Sequence, residues 1–113
     1  MTHYIVARIA IHDRDRYAQY EAGFMPIFAQ YGGTILAVND APEVLEGPPD
    51  SRRLVILAFP DRDAALAWAG SAEYREIAKH RLAASDGAIV MTPGFPSLPD
   101  GEGQAVPAAR VRE

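Results

Sequence analysis

An α+β fold of order β-α-β-β-α-β is predicted by three features of this 113-residue chain. Two apolar runs of strand length, His3–Ile11 and Arg52–Phe59, stand well apart in the sequence. Between them Tyr17, Tyr20, Phe24, Ile27, Phe28 and Tyr31 recur at spacings of three and four, the signature of an amphipathic helix. After the second run, residues 60–86 read as a breaker, a short helix, a corner and a longer helix.

Composition narrows the class before any motif is considered. A chain of this length with 49% hydrophobic residues supplies one ordinary core and no second domain. The net charge of −4, with arginines and acids interleaved, argues against a nucleic-acid partner, which needs a clustered basic face. With no cysteine, disulfides, thiolate nucleophiles and cysteine metal sites are excluded together. The longest apolar run, Leu54–Pro60, falls far short of the roughly 20 residues of a membrane helix. MTHYIVARIAIHD lacks the order of charge, long apolar region and small-residue cleavage site found in signal peptides, so a cytoplasmic protein without a membrane partner is expected.

Each element follows from local chemistry. In the first strand Ile5, Ala7, Ile9 and Ile11 share one face, and Tyr4, Val6, Arg8 and Ala10 share the other. Both faces are largely apolar, as in strands covered on both sides. Asp13 suits the N-cap of the helix that follows, and Pro26 inside that helix predicts a kink near Ala22. Gly32-Gly33 closes it, because glycine accepts the left-handed C-terminal conformation without a Cβ penalty. Thr34–Val38 then reads as a strand, interrupted by Asn39-Asp40-Ala41-Pro42 and resumed over Glu43–Glu46, as if a bulge bent one long strand. The turn Gly47–Ser51 returns the chain antiparallel, which places Glu46 near Arg52 or Arg53.

Pro60 ends the second apolar run, and Asp61 caps a helix of about two turns carrying Ala64, Ala65, Leu66 and Trp68. Gly70-Ser71 ends it, with Ser71 capping the next helix and Glu73 in its first turn. Asp86-Gly87 is expected to turn the chain into a short last strand, Ala88–Thr92. This order is the ferredoxin-like pattern, a four-stranded antiparallel sheet with helices on one face. The bare opposite face carries about ten mostly apolar side chains, more than a monomer tolerates, so two sheets are expected to pack face to face in a homodimer. The domain thus spans residues 1–92. Residues 93–113, with four prolines and three glycines, form a tail that is either a mobile terminus or an arm laid on the partner through Phe95 and Leu98.

Tyr31-Gly32-Gly33, Leu45-Glu46-Gly47, Arg53 before an apolar strand, Phe59-Pro60, Ala64-Ala65, Trp68, Ser71-Ala72-Glu73-Tyr74 and Arg81 carry a resemblance. In that order and spacing, over Tyr4–Thr92, they resemble the domain-of-unknown-function family numbered 1330, within the dimeric α/β-barrel superfamily. The resemblance implies the fold and the dimer but no reaction. Superfamily relatives include cofactor-free monooxygenases, lactone isomerases and haem-degrading enzymes. The haem-degrading pattern of Trp, Ser, aromatic and ligand histidine is matched by Trp68, Ser71 and Tyr74, but Ala78 stands where the histidine belongs. His80 lies roughly 200° around the helix from it, and the first strand offers Arg8 rather than asparagine. No haem, other cofactor or metal is expected, and His3, His12 and His80 have no converging metal spacing.

The same comparison implies a pocket between sheet and helices. Tyr17, Tyr20, Phe24, Tyr31, Trp68 and Tyr74 are its candidate lining, with Tyr20, Tyr31, Trp68 and Tyr74 the substrate-binding candidates. Packed into a core with their polar tips at the surface, the same rings have a purely structural use. Glu46, Arg53 and Arg81 are the catalytic candidates, since a carboxylate and two guanidiniums beside a pocket can take a proton and hold an enolate-like group. A cross-strand ion pair at Glu46 and a helix-end role for Arg81 are the structural alternatives. His80, between Lys79 and Arg81, reads as a solvent-facing helix end rather than a proton-transfer group. The functional expectation is a small aromatic or carbonyl-bearing ligand with cofactor-independent chemistry; the alternative is a non-catalytic binding or interaction module.

Overall fold

The computed structural model describes residues 1–95. Its elements are β1 (His3–Ile11), α1 (Arg14–Phe28), a 3-10 turn over Ala29–Tyr31, β2 (Thr34–Asn39), β3 (Arg53–Phe59), α2 (Arg62–Gly70), α3 (Ala72–Ala84) and β4 (Ser85–Pro93). The strands form one antiparallel sheet in the order β2-β3-β1-β4, the ferredoxin-like arrangement expected. The tail beyond residue 95, including Leu98, lies outside the described residues.

Side-chain alternation decides which face is buried. Ile5, Ala7 and Ile9 of β1 and Leu57 and Phe59 of β3 join Tyr17, Tyr20, Ile27 and Phe28 of α1, Ala65 and Trp68 of α2, and Tyr74 and Ala78 of α3 in a single core. The alternate residues Tyr4, Val6, Leu54, Ile56 and Ala58 lie on the side without helices, with exposed Val90 of β4 beside them. That side is apolar and has no helix layer among the described residues.

The capping residues act as their chemistry dictates. Asp13 accepts from the Arg16 N–H and Asp61 from the Ala64 N–H, each satisfying one of the free amides at a helix start. The Ser71 hydroxyl serves two helices at once, donating to the Trp68 carbonyl (2.9 Å) and accepting from the Tyr74 N–H (3.2 Å). Gly32 closes the aromatic helix at φ 73°, the left-handed conformation. α1 runs through Pro26 to Phe28 and then tightens into the 3-10 turn that carries Tyr31.

Two segments differ from expectation. Residues 40–52 form no strand: Asn39 Oδ1 accepts from the Ala41 N–H (2.7 Å), turning the chain out of the ladder, and Pro42 follows without an N–H to resume it. The bulge sits instead inside β2, where Leu36 is the extra residue between Ile35 and Ala37. At the other end, β4 begins at Ser85 with no turn, so Asp86 and Gly87 are strand residues. The Ala84 carbonyl accepts from the His12 and Asp13 N–H groups (2.9 and 3.1 Å), which ties the end of α3 to the end of β1 and starts the pairing at once. Gly87 is needed for closeness, because a Cβ there would fall 2.5 Å from the Arg8 carbonyl oxygen.

Candidate functional site

A cavity of about 230 Å³ opens between the helix-bearing face of the sheet and α1, α2 and α3. Tyr17, Tyr20 and Phe24 reach it from α1, Trp68 from α2, Tyr74 and Arg81 from α3, and Arg53 and Val55 from β3. The three-four spacing of α1 puts its rings on the side facing the sheet. The shared Ser71 cap fixes the corner between α2 and α3, so Trp68 and Tyr74 meet with ring centroids 4.2 Å apart. Exposed Met25, Ile35, Val38 and Ile89 are the apolar lining residues nearest solvent.

Almost every polar group here is a hydrogen-bond donor. Tyr20 and Tyr74 share one bond between their hydroxyls, 2.9 Å long, so whichever donates, the other keeps a free O–H. Burial pushes the Tyr20 hydroxyl well above the usual tyrosine range, and its Tyr74 neighbour adds to the effect, so it remains protonated. Tyr17 is raised in the same way by burial, against the opposing charge of Arg53. The Trp68 Nε1 is buried without a partner, and so is the Nε of Arg81. Such orphan donors cost about 1–3 kcal/mol each, and both atoms are sealed from water.

The two arginines differ sharply. Arg53, whose side chain is 13% exposed, donates through Nε to Asp40 (2.6 Å) and through Nη1 to Glu21 (2.7 Å). Burial opposes its charge, but those two carboxylates outweigh it and raise its pKa, while Arg53 holds Asp40 below the usual carboxylate range. Its guanidinium carbon also lies 5.3 Å from the Tyr17 ring centroid. Arg81 has its guanidinium carbon 5.7 Å from the Tyr20 ring centroid, and among the described residues it makes no ion pair and no side-chain hydrogen bond.

The structure therefore brings together Tyr20, Trp68, Tyr74, Arg53 and Arg81 of the candidates and leaves two apart. Tyr31 packs against the core from the 3-10 turn but does not line the cavity. Glu46 sits exposed in the loop after β2, in a separate depression with Arg8, Pro48, Pro49, Asp50 and Arg52. Among the described residues it makes no ion pair, because Asp50 takes both Arg52 (2.9 Å) and Arg8 (3.0 Å). Glu21 and Asp40 are the carboxylates at Arg53 that sequence reasoning missed. Glu21 follows Tyr17 by four positions, a spacing that puts it on the same helix face, whereas Asp40 lies in the loop and left no such signal. His80 also departs from expectation: it is half-buried, and its Nδ1 accepts from Arg16 Nε (2.8 Å), joining α3 to α1. Among the described residues no cluster of three or more His, Cys, Asp or Glu could hold a metal ion, and no helix is long and apolar enough to cross a membrane.

Comparison with solved structures places this architecture among known ones. A protein of unknown function from Rhodopseudomonas palustris superposes with a TM-score of 0.70 at 23% identity, over 84% of each chain. A dimeric ferredoxin-like protein of unknown function from Jannaschia sp. CCS1 gives 0.69 at 13% identity, over 83% of this chain and all of that one. SnoaB, a cofactor-independent oxygenase from Streptomyces nogalater, gives 0.55 at 19% identity, over 88% of this chain and 98% of its own. At these identities the likeness is one of fold. No curated protein matches the chain in sequence. The family model described as a domain of unknown function, DUF1330, matches residues 2–95, nearly all of the described fold, and the chain belongs to that family.

Proposed function

We propose that the protein is a homodimer that binds a small aromatic or carbonyl-bearing molecule in the cavity between its sheet and its helices. The observation that carries this reading is the cavity itself, walled mainly by rings and aliphatic side chains with the Tyr20–Tyr74 hydroxyl pair, Arg53 and Arg81 set into its lining. Small-molecule sites share this makeup, apolar walls with a few placed polar groups. At about 230 Å³ the cavity is below the usual drug-sized range, but a dry cavity of ~150 Å³ takes benzene, so a single ring with a short substituent fits.

Any reaction there would run on the substrate's own reactivity, without a cofactor. The donors Tyr20, Tyr74 and Arg81 are suited to steadying an oxyanion that forms on it. The fold likeness to a cofactor-independent oxygenase is compatible with this. The dimer rests on the apolar open face of the sheet and on the dimeric ferredoxin-like neighbour. That open face also favours a second reading, an interaction module whose product is the assembly itself.

The protein has one tryptophan, so Trp68 emission reports on the cavity directly. Titration with a panel of single-ring aromatic and carbonyl compounds should change that emission and raise Tm. A ligand at 100 times its Kd adds about 2.7 kcal/mol of apparent stability. A panel that moves neither signal would exclude the binding reading and leave the interaction module.

A further inference from the structure

Charge and hydrogen-bonding direction in the cavity point to one kind of ligand. We infer that the occupant is an anion, a single-ring carboxylate or a comparable enolate or phenolate, with Arg81 as its counter-ion; this rests on the binding reading above.

One corner of the cavity is already neutral. Arg53 and Arg14 face Asp40 and Glu21, with Arg53 bonded to both carboxylates and Arg14 Nη1 at 3.7 Å from Asp40. Two cations and two carboxylates leave that corner with no net charge. Among the described residues Glu21 is the one carboxylate in the cavity lining, and its Oε2 is occupied by Arg53. Arg81 is then the charge of the cavity that no described residue compensates. It is half-buried, its Nε is sealed from water without a partner, and the ring of Tyr20 is its nearest electrostatic support.

The neutral polar groups point the same way. Tyr20 and Tyr74 both belong to the lining and share one hydrogen bond, so the pair has one O–H left to give. A lining of donors around a free guanidinium is complementary to an acceptor-only group bearing negative charge, for which hydrogen bonds to ionised partners are roughly twice as strong as neutral ones. A cationic or donor-rich ligand would leave the same groups unsatisfied.

Three probes of one shape at neutral pH separate the possibilities: benzoate, acetophenone and benzylamine, followed by Trp68 emission and calorimetry on the full chain. Benzoate should bind about tenfold or more tightly than acetophenone, and benzylamine should not bind. Arg81→Gln should abolish the preference, bringing the benzoate and acetophenone affinities within about twofold of each other, and Arg81→Lys should restore part of it. Acetophenone binding as tightly as benzoate, or a preference that survives Arg81→Gln, would overturn the anion assignment and leave the binding reading standing. Failure of all three probes would take both away. Should Arg81→Gln not fold, the ranking of the three probes on the unaltered protein still decides.

Discussion

Ser71 stands at the end of one helix and the start of the next, and its single hydroxyl bonds to both. Loss of that oxygen leaves the Tyr74 amide without its cap, while the Trp68 carbonyl keeps only the Ser71 N–H (3.2 Å), and these are the two residues whose rings meet in the cavity wall. Ser71→Ala should therefore lower stability by about 1–2 kcal/mol, read as a shifted urea midpoint, and should change Trp68 emission in the folded state. An unaltered midpoint would show that the corner is held by packing alone. Tyr20 allows a test by pH. Its folded pKa is raised above the ordinary value of 10.0, so its contribution is fully present below pH 10 and is lost as pH climbs beyond it. Alkaline titration should show Tyr20 ionising only on unfolding, and Tyr20→Phe should flatten the decline in stability above pH 10. If all five tyrosines titrated together in the folded protein, the buried hydroxyl pair would be disproved.

At the scale of elements, β4 depends on a missing side chain. Gly87 pairs with Ile9, and a Cβ there would meet the backbone of Arg8 and Ile9 rather than a side chain that could swing aside. Gly87→Ala should cost about 1–3 kcal/mol, measured by denaturant unfolding, while Gly70→Ala, where nothing lies within 4 Å, should not destabilise by packing. This glycine also shows where pattern reading stops. Asp-Gly is a turn signal in isolation, and only the Ala84 carbonyl, bonded to the far end of β1, makes the pair continue as strand. Periodicity and caps made β1, β3 and the three helices legible, because those signals are local. Glu43–Glu46, extended by its sequence pattern, is loop in the fold because one Asx turn at Asn39 takes the chain out of the ladder. The site divided in the same way. Its rings were visible from helical spacing, but the partners of Arg53 lie 32 and 13 residues away, at Glu21 and Asp40, and only the folded chain brings them together.

At the scale of the molecule, the proposed dimer depends on the helix-free side of the sheet. Val90 is 59% exposed there, and Leu36 at the β2 bulge is 52% exposed. A charge at an exposed position leaves the protomer's own core untouched, so Val90→Asp should keep the far-UV circular dichroism and shift sedimentation from dimer to protomer at micromolar concentration. Unaltered protein that already sediments as a protomer would end the dimer proposal. The strand order has a further consequence for how the chain is made. β1 is synthesised first of the described strands and lies inside the sheet, yet one of its two neighbours, β4, is made after all the other described elements. Until β4 emerges, a mostly apolar strand waits with one border unpaired, so that interval is when the nascent chain is most exposed to wrong strand pairing.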